Sequence, residues 1–211
     1  MTTRPVAGTR PIAAFDFDGT LTRRDTLLPF LASVTGNVAA LCALARVAPR
    51  LAAGERDLAK ERLLHHLLAG RDHDVVGRAG RAYGARLART AIAPELRSRL
   101  AWHRREGHRV IIVSASLDVY LAETARVLAV DHLVCTRLEI DDHGRYTGHL
   151  VGANCRGAEK AKQLRAQIRG GERVVWAYGD SRGDDEMLAL ADHPVRVHRG
   201  RLTGRDRFRS A

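Results

Sequence analysis

Apolar positions along this chain follow two different periods, and the change from one to the other marks its elements. Short runs at 11–15, 109–113 and 173–179 are apolar almost throughout, the pattern of parallel strands buried on both faces. Longer stretches at 26–34, 37–53, 55–69, 73–90, 94–106 and 117–128 repeat their apolar residues at helical spacing, with breaks at Gly36, Gly54 and Gly70. A further helix is predicted to open at Gly157 and carry Lys160 near its start. The runs 133–140 and 145–151 flank Asp141-Asp142-His143-Gly144, which predicts a hairpin. Residues 196–211 are basic, contain Gly200 and Gly204 and show no period, so a partly ordered tail is expected there.

Strands alternating with helices predict an α/β fold with a parallel sheet. About ninety residues separate the first strand from the second, far more than one βα crossover needs, so a helical insertion is expected between them. Within that insertion, 27–45 carries no charge over nineteen positions, long enough to reach across a bilayer core. Pro29 and the Thr35-Gly36-Asn37 break predict instead two short helices with an apolar face. Such a face suits either a packed bundle or a hydrophobic entrance for a substrate with an apolar tail.

The chain has 211 residues, enough for one ordinary core plus an insertion without covalent staples. Its three Cys, at 42, 135 and 155, lack metal-ligand spacing and read as reduced thiols of a cytoplasmic protein. The first ten residues contain no long apolar segment and read as a short flexible leader. The net charge of +11 invites a nucleic-acid reading. Only three of the 35 basic residues are Lys, however, and the arginines are scattered instead of forming a stripe, so no specific nucleic-acid partner is expected. Attraction of an anionic substrate or contact with a membrane surface fits the charge better. The ten His make no metal pattern, and Trp102 and Trp176 sit in apolar runs that suit packing.

The candidate chemistry lies where the strands end. Asp16 and Asp18 follow the 11–15 run, one residue apart on the same side of an extended backbone, in Asp-Phe-Asp-Gly-Thr. An Asp-Gly pair is also a common turn. Two like charges so close nevertheless raise each other's pKa unless a cation neutralises them, which points to a metal or a proton-transfer task. The 109–113 run stops at Ser114-Ala115-Ser116, and 173–179 runs into Gly179-Asp180-Ser181-Arg182-Gly183-Asp184. Arg156, just before Lys160 in Asn154-Cys155-Arg156-Gly157, is either a phosphate or acidic head-group contact or a plain surface arginine.

These four elements, in this order from about residue 12 to about residue 195, resemble the haloacid dehalogenase (HAD) superfamily of phosphotransferases. The resemblance implies a Rossmann-like core of mostly parallel sheet with helices on both faces, covered by a helical cap inserted after the first motif. The core is expected at 1–24 and 95–200, the cap at 25–94, and a basic tail at 201–211. It makes Asp16 the nucleophile and Asp18 the general acid/base. Gly19, Thr20, Ser114, Ala115 and Lys160 are implied to hold the phosphoryl group, Lys160 fitting the motif better than Lys162 or Arg156. Mg²⁺ is implied on Asp16, the Asp18 carbonyl and Asp180, with Asp184 in support.

The expected activity is hydrolysis of a phosphomonoester through an aspartyl-phosphate. Phosphotransfer to another alcohol and a receiver-like module that merely accepts phosphate are the competing classes. Asp18 speaks against the last, because a receiver needs no acid/base two residues after its phosphorylated Asp. Within the superfamily the chain is similar to the phosphoserine-phosphatase-like branch of subfamily IB. It departs from phosphoserine recognition at Asp25, where that branch has a longer Glu, and at Ala115-Ser116, where it has Gly-Gly. The run 18–31 resembles the phosphatidylglycerophosphatase C-like group, which implies a lipid or glycerol-type phosphate as substrate.

Overall fold

A computed structural model describes residues 10–203. The leader expected before Arg10 and the tail beyond Thr203 lie outside the described residues. The chain begins with β1 (Ile12–Phe15) and a tight turn over Phe17–Leu21, then passes through α1 (Leu27–Thr35), α2 (Asn37–Ala52), α3 (Arg56–Leu68) and α4 (His73–Thr90). It continues with α5 (Pro94–Arg105), β2 (Arg109–Leu117), α6 (Asp118–Val127), β3 (His132–Thr136), β4 (Leu138–Ile140) and β5 (Tyr146–Leu150). It closes with α7 (Ala158–Arg165), β6 (Val174–Gly179), α8 (Asp185–Leu188), β7 (His193–His198) and β8 (Arg201–Leu202).

Six strands form the main sheet in the order β3-β2-β1-β6-β7-β8, parallel except for β8. Alternation along β1 and over Val110–Val113 of β2 shows why these runs carry no polar residue. Ala13, Phe15, Val110 and Ile112 pack into one apolar cluster with α5 and α6, whereas Ile12, Ala14, Ile111 and Val113 pack into another with α7 and α8. Both faces are covered, so neither register needs a polar member. The chain runs outward from β1 through β2 to β3, then returns on the other side of β1 as β6. The carboxyl ends of β1 and β6 therefore flank a topological switch point, with Phe15 level with Tyr178.

Helices α1 to α4 stand between β1 and α5, and their apolar residues join the same cluster as α5 and α6. The uncharged stretch forms two helices. Gly36 ends α1 at φ +89°, its N–H donating to Ala32 O at 2.8 Å, and α2 begins at the next residue. No helix among the described residues is long and apolar enough to cross a membrane. Helix α4 lies directly on α6: a Cβ at Gly80 or Gly84 would run into the carbonyl oxygens of Val119 and Tyr120. Those two glycines, one turn apart, set the close approach of the insertion to the core.

Three expectations need correction. The strand read at 109–113 continues to Leu117, because Ser114 pairs with Cys135 and Leu117 with Thr136 across an irregularity that keeps the serine segment extended. The run 133–140 is two strands: β3 joins the main sheet, and only β4 pairs with β5 in the hairpin. Residues from Arg196 to Leu202, read as tail, complete β7 and form β8. In β7 only Val195 and Val197 are buried, and the exposed residues around them, Arg196 included, hide the alternation of an outer strand.

Candidate active site

The ends of β1, β2 and β6 and the start of α7 converge on a cavity of about 210 Å³. Its lining brings together Asp16, Asp18, Ser114, Ala115, Lys160, Asp180 and Asp184, which lie far apart in sequence. Gly19 and Thr20 do not line it. Thr20 is buried behind Asp16, and Gly19, at φ +78°, presses its backbone against the Asp180 carboxylate, where a Cβ would collide.

Asp16 is 6% exposed and fixed at both oxygens. Lys160 Nζ donates to its Oδ1 at 2.7 Å and Thr20 Oγ1 to its Oδ2 at 2.9 Å. Lys160, itself 2% exposed, also donates to Asp184 Oδ1 at 2.5 Å. The other oxygen of Asp184 accepts from the N–H and the hydroxyl of Ser181, both at 3.0 Å, which closes the turn after β6. Burial raises the Asp16 carboxyl above its usual range even with Lys160 beside it. Burial would raise Asp184 too, but Lys160 and Ser181 hold it below. Lys160 shows the reciprocal effect: burial opposes its charge, and the two carboxylates push its pKa up.

Asp180 is the most open of the three acids around Lys160, yet partial burial and its neighbours Asp16 and Asp184 push its carboxyl up to about 6. Carboxylate oxygens of Asp16, Asp180 and Asp184 lie within 4.8 Å of one another. The Lys160 ammonium bonds Asp16 and Asp184 but not Asp180, so the three-acid cluster is short of positive charge and offers only hard oxygen donors. That donor set fits a small divalent cation such as Mg²⁺.

Asp18 is held separately. Its oxygens accept from Thr26 Oγ1 at 2.7 Å and from the hydroxyl of Ser116. Since Thr26 gives its proton to Asp18, the Tyr120 hydroxyl, 3.1 Å away, donates to Thr26. Burial, then the charge of Asp25, pushes the Asp18 carboxyl up to about 7. Ser114 Oγ accepts from Ser116 N at 3.0 Å, leaving the Ser114 proton available to a ligand. Asp25 accepts at Oδ1 from Leu27 N at 3.1 Å and Leu28 N at 3.2 Å, so it caps α1.

Several lining residues escaped the sequence reading. Lys60, on α3, donates to Ala115 O, to Asn154 Oδ1 at 2.5 Å and to Thr136 Oγ1 at 3.2 Å, so its three protons tie the insertion to the serine segment and to the loop before α7. Asn154 Nδ2 in turn donates to Asp57 Oδ1 at 2.6 Å. Burial lowers the Lys60 amine to about 8. Arg56 and Arg156 complete the basic side of the cavity, and Arg156, left open by the sequence, stands in its wall. One signal was available: two of the chain's three lysines, 60 and 160, stand here, in a sequence that otherwise uses arginine for nearly all its basic residues. Trp102 and Trp176 lie away from this cavity and meet edge-on at 5.8 Å under Arg99.

The sequence profile of the haloacid dehalogenase-like hydrolases matches residues 13–189. Protein CicA of Caulobacter vibrioides is 36% identical over 195 residues, which span 90% of this chain and 87% of CicA. Histidinol-phosphatase of Neisseria meningitidis is 24% identical over 113 residues, 51% of each chain. A phosphoserine phosphatase solved as a phospho-aspartyl intermediate analogue superposes with a TM-score of 0.63 at 22% identity, covering 87% of this chain and 84% of its own, a likeness of fold.

Proposed function

The chain belongs to the haloacid dehalogenase-like hydrolase family, and we propose that it is a Mg²⁺-dependent phosphomonoester hydrolase working through an aspartyl-phosphate on Asp16. The observation that carries this reading is the pair of carboxylates at the end of β1: Asp16 clamped by Lys160 and Thr20, Asp18 clamped by Ser116 and Thr26. Two acids two residues apart thus have different surroundings and suit different tasks.

Asp16 attacks phosphorus as the bond to the ester oxygen breaks, and Asp18 gives its proton to the departing alkoxide. Water then attacks the acyl-phosphate, passing a proton to Asp18, and free phosphate leaves with Asp16 restored. A carboxyl raised to about 7 suits both halves, since near neutrality it exchanges its proton readily. Ser114 and the Ala115 amide bind phosphoryl oxygens, while Lys160 offsets the charge of the attacking carboxylate and of the phosphoryl group. Thr20 orients Asp16, and the Gly19 backbone positions Asp180. Bound at Asp16, the Asp18 carbonyl and Asp180, Mg²⁺ would supply the positive charge that lets an anionic nucleophile meet a dianionic ester.

The substrate in this reading is a lipid or glycerol-type phosphate. Asp25 supports it over phosphoserine, because one of its oxygens is taken up in capping α1 and the side chain is shorter than the Glu of the phosphoserine branch. The test is release of inorganic phosphate by the purified protein with Mg²⁺, from glycerol phosphate, phosphoserine and a short-chain lipid phosphate, with acid-quench trapping of the phosphoenzyme. Turnover without a trappable intermediate in the Asp18→Asn protein would count against the covalent route. Appearance of a phosphorylated alcohol instead of free phosphate would identify a phosphotransferase.

A further inference from the structure

A second cavity, of about 270 Å³, opens between α1, α2 and α3. Its wall is apolar: Leu28 from α1, Leu44, Val47 and Leu51 from α2, and Ala59 and Leu63 from α3. It is continuous with the catalytic cavity, since Asp25, Leu27, Arg56 and Lys60 belong to the lining of both. Polar groups collect at this junction and are absent beyond it. The apolar face expected over 27–45 is thereby divided: Leu27, Leu28 and Leu44 line the cavity, whereas Leu41 is 68% exposed and does not.

We propose that this annex is a leaving-group subsite, which receives the apolar chain of the alcohol released from the phosphomonoester. The inference rests on the phosphatase reading and specifies its substrate: an amphiphilic alcohol phosphate, polar near phosphorus and apolar farther out. Three features carry it. The annex has room for about nine water-sized groups, taking about 30 Å³ for each, so a chain of several methylenes fits. Its only charged members, Asp25, Arg56 and Lys60, stand at the junction, where a polar linkage between phosphate and chain would lie. Finally, an apolar void beside a reaction site gains nothing from bound water but gains from every methylene that replaces it.

The expected signature is a chain-length dependence. Each buried methylene should raise kcat/KM about fourfold until the annex is full, after which the series levels off. The gain should appear mainly in KM, because the chain is bound equally in ground and transition states.

The experiment measures phosphate release from n-alkyl phosphates, ethyl through decyl, below their micellar concentrations and with Mg²⁺. It compares the wild-type protein with Ala59→Phe and Leu44→Trp, which fill the annex, and with Leu41→Asp, an exposed residue outside its lining. The readout is the octyl-to-ethyl ratio of kcat/KM within each protein, which does not depend on the folded fraction. The proposal expects a ratio in the thousands for wild type and for Leu41→Asp, falling toward one in the two filled variants. A flat wild-type series with ethyl phosphate still hydrolysed overturns the annex and leaves the phosphatase reading standing. An unchanged ratio in both filled variants overturns its location. Absence of turnover for every alkyl phosphate, glycerol phosphate and phosphoserine overturns the phosphatase reading itself.

Discussion

Replacing Lys160 by Met removes the one cation that Asp16 and Asp184 share. The side chains involved are 3%, 8% and 2% exposed, so the two carboxylates would be left buried with no compensating charge. Removing one partner of a buried ion pair costs about 3–5 kcal/mol, and one ammonium serving two acids puts this site near the upper end. With a urea m-value of about 2 kcal/mol/M, a loss of about 4 kcal/mol lowers the unfolding midpoint by about 2 M.

The pH dependence has a definite sign. In the wild type Asp184 lies below its ordinary 3.8, so its contribution is present above that value and is lost as pH falls through the lower folded one. In Lys160→Met the Asp16 carboxyl, already raised by burial, rises further, so the folded state keeps a proton that the unfolded state has released. Stability of the variant therefore falls as pH rises above about 4, and its deficit against wild type is larger at pH 8 than at pH 5. Mg²⁺ should stabilise whichever protein binds it, by about 2.7 kcal/mol at a hundred times its dissociation constant. Urea titrations of both proteins at the two pH values, with and without Mg²⁺, measure all of this. A midpoint drop under about 0.5 M, or a deficit equal at both pH values, would refute the reasoning.

Asp16→Asn should abolish phosphate release from a protein that circular dichroism still shows as folded, because an amide offers one acceptor oxygen to the Lys160 and Thr20 donors and cannot form the phosphoenzyme. Asp18→Asn should slow both formation and hydrolysis of the intermediate by about a hundredfold or more, resolved by rapid-quench labelling; normal turnover of esters with poor leaving groups would remove its acid/base role. Asp180→Ala should shift the Mg²⁺ titration of activity into the millimolar range or abolish it, and an identical half-saturation point would show that Asp180 is no ligand. Gly84→Ala should cost about 1–3 kcal/mol in a thermal or urea melt, because the new Cβ meets the backbone of Tyr120 and α4 must move off α6.

The sequence by itself determined the parts whose signal is local. Runs such as Ile12–Phe15 and Ile111–Val113 lack polar members because both faces of the sheet are buried, and that pattern alone marks central parallel strands. Gly36 announced the break between α1 and α2, and the acids after β1 and β6 announced where chemistry would gather. The outer strand β7 was not legible, since only Val195 and Val197 are buried and the residues from Arg196 onward read as tail.

Tertiary structure alone decided what surrounds those acids. That Lys160 serves Asp16 and Asp184 together, that Ser116 and Thr26 hold Asp18, and that Lys60 reaches from α3 to Ala115 all depend on contacts between residues tens of positions apart. The apolar annex is of the same kind. An uncharged helix pattern states that a face is apolar, but whether Leu41 or Leu44 meets the cavity depends on how α1, α2 and α3 rotate against one another. Periodicity fixes a side chain's angle about its own helix; only packing against a neighbour fixes what that angle faces.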